Sequence, residues 1–146
     1  MRIYLDNCCL NRPFDDQAVI RVKLEAEAVI YIQSQIVARA VDLAWSYMID
    51  YENEANPFEE RRNAIVRWKS YALVDSEESK SVLKRAGLIG KLGIKPKDAL
   101  HAACAVEAQC DYLLSTDDVL VKKLENVQGI KALNPIDFLS VLEEMK

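Results

Sequence analysis

Short apolar runs alternate along the chain with longer segments in which apolar residues recur at helical spacing. The short runs are rich in β-branched and aromatic residues and predict strands. Five such strands are expected, over Arg2–Leu5, Ala40–Trp45, Tyr71–Val74, Tyr112–Ser115 and Ile130–Leu133. Strands that alternate with helices almost throughout predict an α/β fold with a parallel sheet covered on both faces.

The segments between the strands are predicted to be helical. The longest runs from Gln17 to about Ala38, with Glu25 and Glu27 expected on its exposed side. Ser46 is placed to cap the helix that follows the second strand and reaches Glu54. The other predicted helices are Phe58–Ser70, Ser76–Leu92 with Ser76 as its cap, one with Pro96 in its first turn, Val119–Glu125, and Pro135–Glu144. Residues 7–15 are expected to form a loop or a short helical turn, because Pro13 would break a longer helix.

Length and composition favour one folded domain over residues 1–146. Hydrophobic residues make up 51% and charged residues 29% of the chain, which is ordinary for a soluble protein. No apolar run approaches the roughly 20 residues of a membrane span, and no signal peptide is recognisable, so we expect a cytoplasmic protein without membrane contact. The four cysteines lack zinc-site spacing and are expected to be free, buried thiols.

Acidic residues occupy positions that an α/β fold would bring together. Asp6 follows the first strand, Asp117 follows the fourth, and Asp98 lies in the first turn of a helix. Helix N-termini and strand C-termini meet at one edge of such a sheet, so these carboxylates are expected to be neighbours. The helix after the second strand offers a fourth acid, and the residue pattern alone does not choose among Asp50, Glu52 and Glu54.

Carboxylates clustered in this way repel one another and favour either raised pKa values or a bound divalent cation. Oxygen ligands without histidine or thiolate favour Mg²⁺ or Mn²⁺. Such ions typically activate water and stabilise the charge on a phosphodiester undergoing in-line attack. The net charge of −4 argues against non-specific nucleic-acid binding driven by global positive charge, but a local basic rim can coexist with an acidic centre.

Four stretches in order along the chain carry a family resemblance: IYLDNCCLNRPFD, WSYMIDYE, KPKDALHAACA and DYLLSTDD. Together they resemble the PIN domain family of metal-dependent ribonucleases, which includes the toxins of VapBC-type toxin–antitoxin pairs. The resemblance covers the chain from Ile3 to about Leu120. It implies a three-layer α/β/α PIN-like fold with a central, mostly parallel sheet of about five strands.

The resemblance also implies a function. The family's catalytic and metal-binding acids fall on Asp6, Glu52, Asp98 and Asp117, with Glu52 preferred because of its interval from Ser46. The implied activity is Mg²⁺- or Mn²⁺-dependent hydrolysis of RNA phosphodiester bonds. The implied partners are an RNA substrate, an antitoxin protein and a second copy of the chain.

Further positions are implied or left open. Ser115 matches a strand-end Ser/Thr that holds the acidic loop, Asn7 departs from the family's usual small polar residue, and Asp118 either adds to the site or starts the next helix. Candidates for contacts to phosphate are Arg12, Lys91, Lys95 and Lys97.

Three alternatives compete with this interpretation. His101 shares a helix face with Asp98 and Cys104, which would suit a cysteine–histidine hydrolase. The preferred interpretation is a histidine that packs against a buried thiol without a catalytic role. A receiver-like or haloacid-type phosphatase domain would need a second acid after the first strand, and LDNC has only one. A non-catalytic PIN-fold module that binds RNA or a partner would retain the acids without cleaving.

Overall fold

The five predicted strands form one sheet in which every neighbouring pair is parallel. In the computed structural model, which describes residues 1–146, the strands follow the order β3-β2-β1-β4-β5. They are β1 (Arg2–Leu5), β2 (Asp42–Ser46), β3 (Ala72–Ser76), β4 (Tyr112–Leu114) and β5 (Lys131–Leu133). The predicted α/β class with a parallel sheet of five strands is confirmed.

Eight α-helices connect and flank the strands. They are α1 (Asn7–Asn11), α2 (Ile20–Val37), α3 (Tyr47–Glu54), α4 (Glu59–Val66), α5 (Lys80–Gly90), α6 (Pro96–Glu107), α7 (Asp118–Lys123) and α8 (Pro135–Glu144). Helix α2 packs with α8, and α5 packs with α6. None of the helices combines the length and apolar character that crossing a bilayer would require.

Strand β1 lies at the centre of the sheet, with two strands on either side of it. From β1 the order runs outward to β2 and β3 on one side, and to β4 and β5 on the other. Leu5 pairs with Leu114, and the backbone N–H of Asp6 donates to the carbonyl of Leu114 at 3.0 Å. A reversal of strand order opens a crevice beyond the carboxyl ends of the strands, so this topology places the residues after β1 and β4 side by side.

The centre of the sheet is buried on both faces. Ile3, Tyr4 and Leu5 are each at most 1% exposed, which requires helices against both sides of β1. Helix α6 supplies small buried residues, and small side chains let a helix approach a sheet closely. These are Ala99, Ala102, Ala103, Cys104 and Ala105.

Two helix boundaries differ from the predictions for local reasons. Ser76 ends β3, paired with Ser46, and does not cap α5; Ser79 does so by accepting from the N–H of Val82 at 3.1 Å. The predicted helix Phe58–Ser70 ends as an α-helix at Val66 and continues as a 3₁₀ turn over Arg67–Tyr71. Residues three apart are eclipsed in a 3₁₀ turn, and this brings the rings of Trp68 and Tyr71 to 5.4 Å.

The prediction that Glu25 is exposed is wrong, because its side chain is fully buried. Its Oε1 accepts from Nε of Arg12 at 3.0 Å and forms an ion pair with Nη2 of the same guanidinium at 2.9 Å. Its Oε2 accepts from the side-chain amide of Asn134 at 2.5 Å, and Nε of Arg21 lies 3.4 Å away. Both main partners come from other segments, so helical periodicity within α2 could not reveal them.

We expect Arg12→Met to destabilise the fold by about 3–5 kcal/mol, because it leaves the Glu25 carboxylate buried without its strongest counter-charge. Chemical denaturation at neutral pH, followed by circular dichroism, measures this loss. The matched control is Arg21→Met, which removes a more exposed and more distant cation from the same carboxylate and should unfold close to wild type. Equal stability of Arg12→Met and wild type would contradict this interpretation of the buried network.

Candidate active site

All four acids predicted from the sequence line one open cleft of about 740 Å³ at the carboxyl edge of the sheet. Asp6 follows β1 and is the N-cap of α1, and Asp117 follows β4 and is the N-cap of α7. Glu52 lies on α3, and Asp98 lies in the first turn of α6. The fold therefore brings together residues that are separated by up to 111 positions in the sequence.

A single buried hydroxyl joins the two acids at the strand ends. Ser115 donates from Oγ to Oδ2 of Asp6 at 3.0 Å, and the same Oγ accepts from the backbone N–H of Asp117 at 3.1 Å. The Oδ1 of Asp6 accepts from the backbone N–H of Asn7 at 2.7 Å. Asp117 in turn caps α7 through Oδ1, which leaves its other oxygen free of hydrogen bonds within the chain. The expected contact of Ser115 with the acidic loop is thus present.

The geometry separates Glu52 from its two neighbours. Asp50 accepts from Nε1 of Trp45 and from Nζ of Lys69, each at 2.9 Å, and does not line the cleft. Glu54 is exposed and also lies outside the cleft. Only Glu52 among the three acids of this helix faces Asp6 and Asp98.

Asp118 lies outside the cleft, at the start of α7. Its carboxylate is paired with Nη2 of Arg21 at 2.5 Å, and this hydrogen bond lowers the pKa of the aspartate. Asp118 therefore does not add to the site and is instead the first residue of α7.

His101 is the residue whose surroundings sequence reasoning missed. It is buried as expected, but its two ring nitrogens hydrogen bond to other groups, and it makes no hydrogen bond to Cys104. Nε2 contacts Oε1 of Glu52, and Nδ1 lies 2.5 Å from the hydroxyl of Tyr4. The available signal was the spacing of three residues from Asp98, which puts both side chains on one face of α6.

Cys8 is a second residue that the sequence did not single out. All four cysteines are free thiols and three are buried, as predicted, but Cys8 is only half-buried because it lines the cleft. Its sulfur lies 3.4 Å from both Oδ2 of Asp6 and Oγ of Ser115. Nothing in the residue pattern distinguished Cys8 from the neighbouring Cys9.

The carboxylates influence one another's protonation. Burial and the charges of Asp6 and Asp117 raise the pKa of Asp98. Burial acts on Glu52 in the same direction, but the hydrogen bond from His101 and the charges of His101 and Lys97 together outweigh burial and lower the pKa of Glu52. Burial opposes protonation of His101, yet the hydrogen bond to Glu52 and the surrounding acids raise its pKa overall.

These features fit a divalent cation. One oxygen of Asp6 and one of Glu52 lie within 4.8 Å of each other and of a ring nitrogen of His101, which already hydrogen bonds within the chain. Asp98 accepts no hydrogen bond from the chain, and the buried amide oxygen of Asn7, also in the cleft, has no partner. A cation would offset the burial and the repulsion that together raise the pKa of Asp98, and it would engage the free carboxylate oxygens.

The rim of the cleft is basic on one side. Lys95 and Lys97 line it, as expected for contacts to phosphate, while the exposed Lys91 does not. Arg12 is also absent from the lining, because its guanidinium is held by Glu25 and Asp15. The prediction that Arg12 and Lys91 are in position to contact phosphate is therefore not supported by the geometry.

A second groove, of about 620 Å³, lies at the opposite edge of the sheet, where the strands begin. Its only acidic residues are Asp111 and Glu125, and the backbone N–H of Arg2 already donates to Asp111. Size alone does not separate the two sites. The convergence of four carboxylates identifies the cleft at the carboxyl edge as the candidate active site.

No protein-family model matches the sequence, and no curated protein matches it significantly. Solved structures match its fold. One is a chain of the crystal structure of VapBC2 from Rickettsia felis bound to a DNA fragment from their promoter, with a TM-score of 0.59 and 14% identity over 92% of this chain and 98% of that chain. Another is a chain of DNA-bound VapBC from Salmonella typhimurium, with a TM-score of 0.57 and 16% identity over the same shares. The PIN-like fold expected from the sequence is confirmed; identities this low establish the fold alone.

We expect Asp98→Asn to stabilise the metal-free protein. Folding raises the pKa of Asp98, so in wild type the protonated carboxyl stabilises the fold at low pH and this contribution is lost as the pH rises through the folded pKa. At neutral pH the charged Asp98 therefore weakens the fold, and a neutral asparagine removes that cost. A gain of about 1 kcal/mol would raise Tm by about 2–4 °C in a chain of this size. Calorimetry at pH 7 with EDTA measures the shift.

The matched control for this change is Asp118→Asn, which removes a carboxylate from the same part of another helix. Both changes lose a favourable interaction with a helix dipole, but only Asp98 lies among like charges. Asp118→Asn should not raise Tm. A lower Tm for Asp98→Asn, or the same change in both variants, would show that the cleft carboxylates do not repel one another appreciably.

Proposed function

We propose that this chain is a Mg²⁺- or Mn²⁺-dependent endoribonuclease that hydrolyses phosphodiester bonds in RNA. The observation that carries the proposal is the convergence of Asp6, Glu52, Asp98 and Asp117, from four distant segments, on one cleft. Structural residues seldom gather like charges, because the repulsion costs stability unless a ligand relieves it. The resemblance of four sequence motifs to PIN domain ribonucleases and the shared fold support the same reaction.

Each group in the cleft has a role in the proposed reaction. The four acids would hold one or two ions, directly or through water, and a bound ion supplies a Lewis acid that activates water and stabilises developing phosphate charge. Ser115 keeps Asp6 and Asp117 at fixed positions through its two hydrogen bonds. Lys95 and Lys97, on the rim, would bind the phosphates on either side of the scissile bond. No side chain is required as a nucleophile.

We further propose that the chain acts as the toxin of a toxin–antitoxin pair in the cytoplasm and forms a homodimer. The support is the family resemblance together with the fold shared with chains of VapBC complexes. An acidic cleft is suited to inhibition by a partner's cationic side chain, and an antitoxin arginine placed there would occupy the position of the metal. Rescue of growth by a co-expressed partner from a neighbouring gene would test this part.

The activity is tested by incubating the purified chain with a panel of structured and single-stranded RNAs in Mg²⁺, Mn²⁺ or EDTA. We expect cleavage with either metal and none with EDTA. Asp6→Asn and Glu52→Gln should each lower the cleavage rate at least about 100-fold, since losing a ligand removes several kcal/mol of charge stabilisation.

Glu54→Gln is the matched control, because it makes the same chemical change two residues from Glu52 but outside the cleft. It should retain the wild-type rate. Equal activity of wild type and Asp6→Asn would contradict catalysis in this cleft. Binding of RNA and metal without cleavage of any RNA would favour a non-catalytic PIN-fold module.

The basic rim makes a separate prediction. Lys97→Ala should raise KM for RNA with a smaller effect on kcat, because the lysine contacts a phosphate and not the reacting atoms. The slope of log affinity against log salt should fall by about 0.7–1, the change expected for one lost phosphate contact. Lys91→Ala, an exposed lysine outside the cleft, serves as the control and should leave both quantities unchanged.

A further inference from the structure

A line of buried hydrogen bonds runs from the cleft into the core. It begins at Glu52, passes through Nε2 and Nδ1 of His101, continues 2.5 Å to the hydroxyl of Tyr4, and ends 2.7 Å further on at Oγ of Ser46. His101, Tyr4 and Ser46 are each at most 1% exposed. We call these three residues, with Glu52, the Glu52 relay.

The relay joins the elements that form the cleft. Tyr4 comes from β1, His101 from α6, and Ser46 from the junction of β2 and α3. Ser46 also accepts from the backbone N–H of Ile49, so the hydroxyl that ends the relay also caps the helix that carries Glu52. The relay therefore holds α3 at two places: Ser46 caps the beginning of the helix, and His101 holds the Glu52 carboxylate near its end.

Buried polar side chains are expensive where apolar ones of the same size would pack. Tyr4 lies in the central strand between Ile3 and Leu5, where a leucine or phenylalanine would satisfy the core without a partner. The relay connects these buried groups to the carboxylate of Glu52, its only member that reaches the cleft, where the side chain is 26% exposed. The free-energy cost of burying these polar side chains is justified only if the orientation of the Glu52 carboxylate matters for function.

The hydrogen bonds also indicate how His101 acts. Nε2 is engaged by Glu52 and Nδ1 by Tyr4, so the ring has no nitrogen free for a metal ion while the relay is intact. Oε1 of Glu52 is held by His101, and Oε2 accepts no hydrogen bond. A histidine that holds one oxygen leaves the other available to a cation, as partners of metal ligands commonly do.

We infer that His101, anchored by Tyr4 and Ser46, is a positioning residue that fixes the Glu52 carboxylate for metal binding and is not itself a metal ligand. This inference rests on the proposed function, since it takes Glu52 to bind the ion. It also explains why Glu52, and neither of its acidic neighbours, faces the cleft, because only Glu52 reaches His101.

Two isosteric substitutions of His101 test the inference. His101→Gln places an amide N–H near the position of Nε2, where it can still donate to Glu52. His101→Asn places the amide near Nδ1, where it reaches only Tyr4. His101→Leu removes both contacts, and Tyr4→Phe removes the anchor while His101 remains.

Mn²⁺ affinity is measured by calorimetry, without RNA, alongside the unfolding temperature of each variant. We expect His101→Asn and His101→Leu to weaken Mn²⁺ binding by about 10–100-fold, the range typical for loss of a ligand's partner. His101→Gln should remain within about threefold of wild type, and Tyr4→Phe should fall in between. In cleavage assays at saturating metal, the loss should appear in kcat, with KM for RNA nearly unchanged.

The outcomes separate this inference from the proposed function. If wild type binds no Mn²⁺, the proposed metal site itself is wrong. If wild type binds Mn²⁺ and all four variants bind it equally while unfolding at lower temperatures, the relay is only structural and the inference is overturned. Equal losses in His101→Gln and His101→Asn would also overturn it, because only the former retains the donor to Glu52.

Pulsed electron paramagnetic resonance of Mn²⁺ bound to wild type addresses the role of the histidine directly. A positioning role predicts no coupling from a directly bound histidine nitrogen. A strong nitrogen coupling that disappears in His101→Gln would show that His101 is a ligand and would contradict the assignment.

Discussion

Repulsion between carboxylates in the cleft is the constraint on which the rest of the site depends. Folding partly buries Asp98 and places it beside Asp6 and Asp117; both effects raise its pKa, so the metal-free fold is less stable than its core alone would make it. The surrounding structure holds the acids in place in spite of this cost. Ser115 joins Asp6 to the Asp117 backbone, and His101 holds Glu52. Each of these supports lies at or near full burial, where a hydrogen bond is least exposed to competition from water.

The sheet topology explains why the acids meet at this place. Because β1 is central and the strand order reverses beside it, the segments that follow β1 and β4 share one crevice. The small side chains of α6 let that helix approach the sheet closely, with Asp98 in its first turn at the same edge. The site thus follows from parallel pairing and helix direction, and it needs no long loop to assemble it.

Much of this arrangement could be predicted from local sequence patterns. Strand ends that carry Asp6 and Asp117 and a helix that begins near Asp98 are signalled within a few residues, and parallel topology then brings the three together. Glu52 could be chosen over Asp50 and Glu54 only from the family resemblance. The contact that turns its side chain into the cleft is made with His101, 49 residues away in the sequence. The burial of Glu25 was mispredicted for the same reason: Asn134 is 109 residues distant. Periodicity describes which face of a helix is apolar, but it carries no information about a polar partner on another segment.

Glu25 and Glu52 also show how a structural carboxylate differs from one available to a ligand. Both are glutamates on helices, and both hydrogen bond to a side chain far away in sequence. Both oxygens of Glu25 are occupied, Oε1 by Arg12 and Oε2 by Asn134, and the side chain is fully buried outside the cleft, so no ligand from solvent can reach it. Glu52 has one oxygen engaged and one free, and Asp98 has both oxygens free. In the cleft, partly shielded carboxylate oxygens of Glu52, Asp98 and Asp117 accept no hydrogen bond from the chain and lie close to one another. This incomplete hydrogen bonding, more than the number of acids, distinguishes the site from the buried ionic network around Glu25.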